Sequence, residues 1–355
     1  MINNKLTMNN YQKNSILIIL EEDLNNRFNF FISATNINVI KLNLQNIYGN
    51  NLISTAFKRF HYRKNIQKVK KVIYKNCVDK KDIFISNAEG FIAINIISEL
   101  KKVNPESNII ALQHGIFQTT MKKKFKNKFI FILNFFCNIF FGLKLFGLGF
   151  GPKVVDRYIV YCKEYKDILI KHGWEVNDII ISSFFLKGRK YFPSKNIETA
   201  YNNNVILALQ PLSSSGIVKK NTEVALYEKL IKKLLNKFDK VFIRQHPFNE
   251  VNITVNSNRL EFLTGDEITT ELEKASTVVS FFSSVLLEYE YLDKTFIAVY
   301  SNKLKKYRNQ YKIFKNIHNL EDDLFNYVKN EARKRETFFQ TGVSNIEELL
   351  ELSLK

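Results

Sequence analysis

Three stretches of the sequence put groups able to bind anions or move protons at the ends of apolar runs. The run Val241 to Ile243 closes in Arg244-Gln245-His246-Pro247. The run Val278 to Phe281 gives way to Ser283-Ser284, after which Val285, Leu286, Leu287 and Tyr291 have helical spacing. The first amides of a helix have no internal partner and the helix dipole adds partial positive charge. Two hydroxyls placed there can hold a phosphate, or can serve as an ordinary serine cap. After Val205 to Leu209, Ser213, Ser214, Ser215 and Gly216 offer hydroxyls and amides to a diphosphate, or form a flexible loop.

Proton-transfer candidates lie in the first half. Asn87-Ala88-Glu89-Gly90 follows the apolar run Asp82 to Ser86, and Gln113-His114-Gly115 follows Asn108 to Leu112. A histidine there can take a proton from a hydroxyl near neutral pH, and a carboxylate can do the same or orient the imidazole. Gly90 and Gly115 let backbone approach a ligand closely. Phe91 to Val103 has helical spacing and stops at Asn104-Pro105, giving strand, helix, strand. That order implies parallel strands and a right-handed crossover, so both loops leave at one carboxyl edge. Glu89 and His114 are therefore expected neighbours, unless His114 merely bonds loop backbone and Glu89 faces solvent.

These residues need a scaffold, and composition bounds it. A chain of 355 residues, 45% hydrophobic and 14% aromatic, suits two α/β domains of ordinary size. The expected division is an N-terminal domain at 1–190, a polar linker at 191–204, a ligand-binding domain at 205–335 and a terminal helix at 336–355. Further strands are expected at Ser15–Leu20, Tyr158–Cys162, Asp178–Ser183, Leu260–Leu263 and Thr295–Tyr300. Helices are expected at 58–81, Lys163–His172, Thr222–Phe238, Asp266–Lys274 and beyond Leu320.

Lys+Arg number 53 against 34 Asp+Glu, a net +19, which favours anionic lipid, acidic polysaccharide or nucleic acid as partner, or is simple solubility charge. Cys77, Cys137 and Cys162 make no C-x-x-C pair, so neither zinc nor a disulfide framework is indicated and a reducing compartment fits. Glu21, Glu22 and Asp23 read as a solvated turn, and no metal site is expected. The polar N-terminus lacks the apolar core of a signal peptide, so a cytoplasmic location is expected.

An insert at 121–152 departs from the α/β rhythm. Lys122, Lys123 and Lys124 open a run with five lysines up to Lys128, and Phe129 to Phe150 is apolar except for Asn134, Asn138 and Lys144. Lys144 and the glycines argue against a bilayer span. An interfacial helix or hairpin fits better, with the lysines on anionic headgroups and Phe135, Phe136 and Phe140 in the acyl layer. A buried helix pair or a dimer contact is the alternative.

Taken together, two parallel-sheet domains with candidate loops facing a cleft resemble the GT-B glycosyltransferases. Arg244-Gln245-His246-Pro247 resembles the HP motif, and Ser283-Ser284 the serine/threonine motif, of bacterial sialyl- and polysialyltransferases. Capsule Kdo transferases and CDP-glycerol glycerophosphotransferases carry similar pairs. The resemblance implies that His246, Pro247, Ser283 and Ser284, with Arg244, Ser213 and Ser214 nearby, bind the phosphate of a cytidine nucleotide. Glu89-Gly90 is similar to the end of the sialyltransferase acidic-acidic-Gly motif, with Asn87 in place of its first acid. Gln113-His114-Gly115 is similar to the His-Gly pair of the CDP-glycerol enzymes, so the base is Glu89 or His114.

The implied activity is inverting, cofactor-free, metal-independent transfer of sialic acid or a related nonulosonic acid from a CMP-sugar to a capsule or lipopolysaccharide glycan. It would take place at the inner face of the cytoplasmic membrane. Glycerophosphate or Kdo transfer is the enzymatic alternative. A non-catalytic basic binder of nucleic acid or membrane is the alternative of another class, although no zinc-finger or RNP pattern supports a nucleic-acid partner.

Overall fold

A computed structural model describes residues 14–20, 28, 31–33, 35–42, 67–86, 88, 91–113, 132–133, 135–136, 154–171, 173–182, 203–214, 216–246, 251–263, 274–275, 277–283, 285–291, 294–314 and 317–321. The chain divides into two compact units, and each carries a six-stranded sheet. Every strand pair in both is parallel.

The first unit contains β1 (Ser15–Ile19), β2 (Asn38–Lys41), β3 (Asp82–Ile85), α1 (Phe91–Val103), β4 (Asn108–Leu112), β5 (Arg157–Val160), α2 (Lys163–Lys171) and β6 (Ile179–Ile181). Its strand order is β2-β1-β3-β4-β5-β6. Strands β1 and β3 are buried at every position, as continuous apolar runs are when a sheet is covered on both faces. Helix α1 turns Ala93, Ile94, Ile96, Ile97 and Leu100 into the core. Its end is fastened by Asn104, whose carboxamide donates to the Lys80 and Cys77 carbonyls at 2.7 and 3.2 Å. Helix α2 stops at Gly173, whose φ of +94° suits a residue without Cβ.

The second unit contains β7 (Asn204–Ala208), α3 (Lys220–Leu235), β8 (Lys240–Arg244), β9 (Leu260–Phe262), β10 (Thr277–Ser280), α4 (Val285–Tyr291), β11 (Thr295–Tyr300), a 3-10 segment at Asn302–Ile313 and β12 (Ile317–Asn319). The order is β12-β11-β10-β7-β8-β9. Counted from β9, this is the 3-2-1-4-5-6 order of a Rossmann sheet, with its direction reversing between β7 and β10. Ligands of such sheets bind in the crevice beyond the carboxyl ends of the strands at that reversal.

The α/β class with two Rossmann-type parallel sheets is thus as the sequence indicated. Edge strands β2 and β12 were not anticipated, because three or four partly exposed residues leave no alternating or continuous apolar signal. Helix α3 begins at Lys220 rather than Thr222 and ends at Leu235 rather than Phe238, since Asn236 and Lys237 turn the chain into β8. Of the expected basic helix at 58–81, residues 67–77 are helical, with Val69, Ile73 and Cys77 buried. The expected linker up to residue 202, the terminal helix, most of the insert, and all of Asp266–Lys274 but its last residue lie outside the described residues; Asn204, expected to end the linker, is instead the first residue of β7.

Candidate active site

The site is built by register. Ala208 at the end of β7 pairs with Arg244 at the end of β8, and Leu207 pairs with Val279 on β10. Arg244, Ala208 and Ser280 therefore form a row across three adjacent strands. The row is tied by the Ser280 hydroxyl, which donates to the Ala208 carbonyl at 2.7 Å, and by the Leu209 amide, which donates to the Arg244 carbonyl at 2.9 Å. Two residues beyond this row stand His246, Gln210 and Phe282, with Ser283 next. The His246 and Ser283 motifs thus emerge at the same edge, on either side of the β7 loop. With β7 between them, the ends of β8 and β10 are about 10 Å apart, two strand spacings.

Gln210 is the junction of this edge. The Tyr227 hydroxyl, on α3, accepts from the Gln210 amide at 2.6 Å and donates to its carbonyl at 2.9 Å. Burial pushes the Tyr227 phenol far above its ordinary range, so it stays a neutral donor. The Gln210 carboxamide reaches the other way. It donates to the Phe282 carbonyl at 3.2 Å and accepts from the Phe282 amide at 3.3 Å. The Phe282 ring is stacked on Tyr307, with centroids 5.7 Å apart, and meets Tyr311 edge-on at 5.5 Å. Phe282 is held by both backbone and ring, and Ser283 follows it directly.

The serines differ in what their protons do. The Ser283 carbonyl accepts from the Leu286 amide at 3.2 Å, and its hydroxyl takes a long contact of 3.4 Å from the Val285 amide. A hydroxyl that accepts in this way still has its own proton to give. Ser213 is arranged oppositely. Its amide donates to Oε1 of Glu223 at 3.1 Å, and its hydroxyl donates to Oε2 of the same carboxylate. Glu223 is buried in the first turn of α3. Both Ser213 donors therefore fasten the loop to the helix, and the adjacent carboxylate disfavours a phosphate. Ser214 is exposed and its hydroxyl makes a 3.4 Å contact with the Pro211 carbonyl. Pro247 and Ser284 lie outside the described residues.

In the first unit, β3 and β4 are parallel neighbours, with Ile85 opposite Ala111. Their following loops begin side by side. Glu89, His114, Asn87, Gly90 and Gly115 themselves lie outside the described residues. Gln113 is buried, and its side-chain oxygen accepts from the Tyr161 amide at 2.9 Å. It joins the ends of β4 and β5 rather than facing a ligand. Ser86 does the equivalent for β3 and β1, accepting from the Leu20 amide at 3.0 Å.

The profile of the alpha-2,8-polysialyltransferase (POLYST) family matches residues 1–303. The chain belongs to that family. No curated protein matches its sequence. Among solved structures, the glycosyltransferase of kitacinnamycin is 8% identical, covering 86% of this chain and 85% of its own, with a TM-score of 0.47. The spinosyn rhamnosyltransferase SpnG, complexed with thymidine diphosphate, is 10% identical over 87% and 86%, with a TM-score of 0.46. The wall teichoic acid polymerase TagF is 10% identical over 84% and 76%, with a TM-score of 0.40.

As a member of the polysialyltransferase family, the chain is a sialyltransferase-like glycosyltransferase, with a nucleotide-sugar donor and a glycan acceptor. Of four residues that shape its second-unit edge, Gln210, Tyr227 and Glu223 belong to no sequence motif, and Gln245 has no role of its own in the stretch Arg244-Gln245-His246-Pro247. A buried Glu in the first turn of α3 and a tyrosine one turn on were legible only as helix residues. Among the described residues, no three His, Cys, Asp or Glu side chains gather around a possible metal position. No described helix is long and apolar enough to cross a membrane. Ile132, Phe135 and Phe136, all helical, are exposed. Lys122, Lys123, Lys124 and Phe140 lie outside the described residues.

Proposed function

We propose that this polysialyltransferase-family enzyme transfers sialic acid, or a related nonulosonic acid, from its CMP ester to a hydroxyl of a bacterial surface glycan of capsule or lipopolysaccharide type. The observation that carries the reading is the placement of His246 and the Ser283 turn on either side of β7, at the reversal point of a Rossmann-ordered sheet. Glu89 or His114 takes the proton from the acceptor hydroxyl. The acceptor oxygen forms a bond to the anomeric carbon as the bond from that carbon to the CMP phosphate oxygen breaks, and the electron pair leaves with CMP. Attack opposite the leaving group inverts the configuration.

The charge that develops falls on the departing phosphate. His246, Ser283 and Ser284 donate hydrogen bonds to it, and Arg244 adds positive charge at the same edge. Preset donors aimed at developing charge lower the barrier without a metal or other cofactor. The exposed Phe135 and Phe136, with the lysines of 122–128, hold the enzyme against the anionic inner face of the cytoplasmic membrane, near its acceptor.

Release of free sugar from a panel of CMP-sugars, compared with turnover of CDP-glycerol, tests the reading. Hydrolysis of CMP-sialic acid and none of CDP-glycerol is expected. The reverse result would move the enzyme to glycerophosphate transfer.

A further inference from the structure

We propose that Gln245 is a positioning residue for His246, and Gln210 for the Ser283 turn, so that the phosphate-receiving edge is set before a nucleotide arrives. The inference rests on the reading above, in which His246 and Ser283 hold the phosphate. Strand β8 ends at Arg244. The Gln245 carboxamide then takes both polar groups of a single distant backbone unit, accepting from the Val251 amide at 3.1 Å and donating to the Val251 carbonyl at 3.2 Å. Val251 is itself buried. Residues 246–250 therefore connect two positions that one side chain ties together, and His246 is the first of them. Tying Gln245 to Val251 holds the backbone from which His246 directly follows, and so removes freedom that His246 would otherwise lose on binding.

Gln210 repeats the device. Its carboxamide takes the amide and the carbonyl of Phe282, immediately before Ser283. The choice of residue is chemical. A carboxamide presents one acceptor and one donor side by side, as a peptide unit does, so it can continue strand-like pairing where the ladder has ended. Glutamate lacks the donor, methionine lacks both groups, and asparagine lacks the reach. Neither glutamine is assigned to the ligand; each acts through the residue that follows its contact or itself.

The test is isothermal titration of the full chain with CMP and, separately, with cytidine, which lacks the phosphate. The wild type is expected to prefer CMP. Gln245→Met should lower CMP affinity about ten-fold, the order of one hydrogen bond, and change cytidine affinity less than about two-fold. In a His246→Ala background the same substitution should cost nothing more, because the residue it positions is gone. Gln210→Met should behave likewise against Ser283→Ala. If Gln245→Met does not fold, Gln245→Asn carries the same cycle. Equal losses for both ligands, an undiminished loss without His246, or no loss at all would overturn the inference alone. A wild type indifferent to the phosphate would overturn the site reading with it.

Discussion

The Tyr227 hydroxyl satisfies both backbone polar groups of Gln210, accepting from its amide and donating to its carbonyl. A buried phenol on α3 thereby fixes the first turn of the chain beyond β7, and through the Gln210 side chain it fixes Phe282 as well. Tyr227→Phe keeps the ring and its edge-on contact with Phe281, 5.2 Å between centroids, but leaves the Gln210 amide without that partner, while the Gln210 carbonyl keeps the Leu212 amide at 2.8 Å. One unsatisfied amide in a partly buried site costs about 1 to 3 kcal/mol. The variant is therefore expected to lose about 2 kcal/mol in urea denaturation with an unchanged m-value. A loss below about 0.5 kcal/mol would mean that water replaces the hydroxyl.

Ser213 and Ser283 are expected to separate by phenotype. The Ser213 proton goes to Glu223, so Ser213→Ala removes a loop fastening and leaves the carboxylate with one fewer donor. Its expected effect is about 1 to 2 kcal/mol of stability with CMP affinity unchanged. Ser283 has a proton to give to a phosphate, and Ser283→Ala should weaken CMP about ten-fold while lowering stability only by the value of a weak cap. Paired urea denaturation and titration calorimetry on the two variants check this. Weakened CMP binding in Ser213→Ala alone would transfer the phosphate to the β7 loop.

Two buried cysteines give a pH-dependent expectation. Burial pushes the Cys77 thiol from its ordinary 9.0 up to about 12, reinforced by Asp79 and opposed by Lys80; burial also raises Cys162 well above its ordinary value. The thiolate is the reactive form, so at pH 8 neither side chain should react with iodoacetamide in the native protein, and both should react in denaturant. Peptide mass spectrometry reads each site separately. The sign for stability follows from proton binding. Between 9.0 and about 12 the unfolded chain loses the Cys77 proton while the native chain keeps it. Stability from this group is complete below pH 9.0 and falls as pH rises, so Cys77→Ser should flatten the decline measured by urea denaturation above that pH.

The strand ends and the parallel order were legible in the sequence because both sheets are covered on two faces, which turns each central strand into a short continuous apolar run such as Val205–Leu209. The placement of Arg244 to His246 and of Ser283 at strand ends was legible because polar residues interrupt such runs at the carboxyl edge. What the sequence does not show is partnership over distance. Ser213 has the composition of a phosphate loop, and only the approach of Glu223, ten residues on and folded back by α3, reveals where its proton goes. Gln113 belonged to a motif next to His114, yet packing across to Tyr161 makes it a tie between strands. The partners of Gln210 and Gln245 left no signal, since a carboxamide beside Pro211 or His246 looks the same whether it meets solvent or Phe282 and Val251.

Ile132, Phe135 and Phe136 are spaced for one helix face and are exposed, and the two phenylalanine rings meet edge-on at 5.8 Å. The sequence just before them carries five lysines between Met121 and Lys128. A lysine run followed in sequence by exposed apolar rings is the composition that the proposed membrane contact calls for, with acyl chains for the rings and headgroup phosphates for the lysines. The double substitution Phe135→Ser and Phe136→Ser changes side chains that are at least half exposed, so thermal stability should shift by no more than about 1 °C, as for other surface changes. Co-sedimentation with phosphatidylserine-containing vesicles should fall several-fold. Binding of the wild type should also weaken as salt rises, because lysine attraction is screened over a Debye length. Undiminished binding of the double variant would assign the rings to a protein contact, and the accompanying test is then the oligomeric state of the wild type by light scattering.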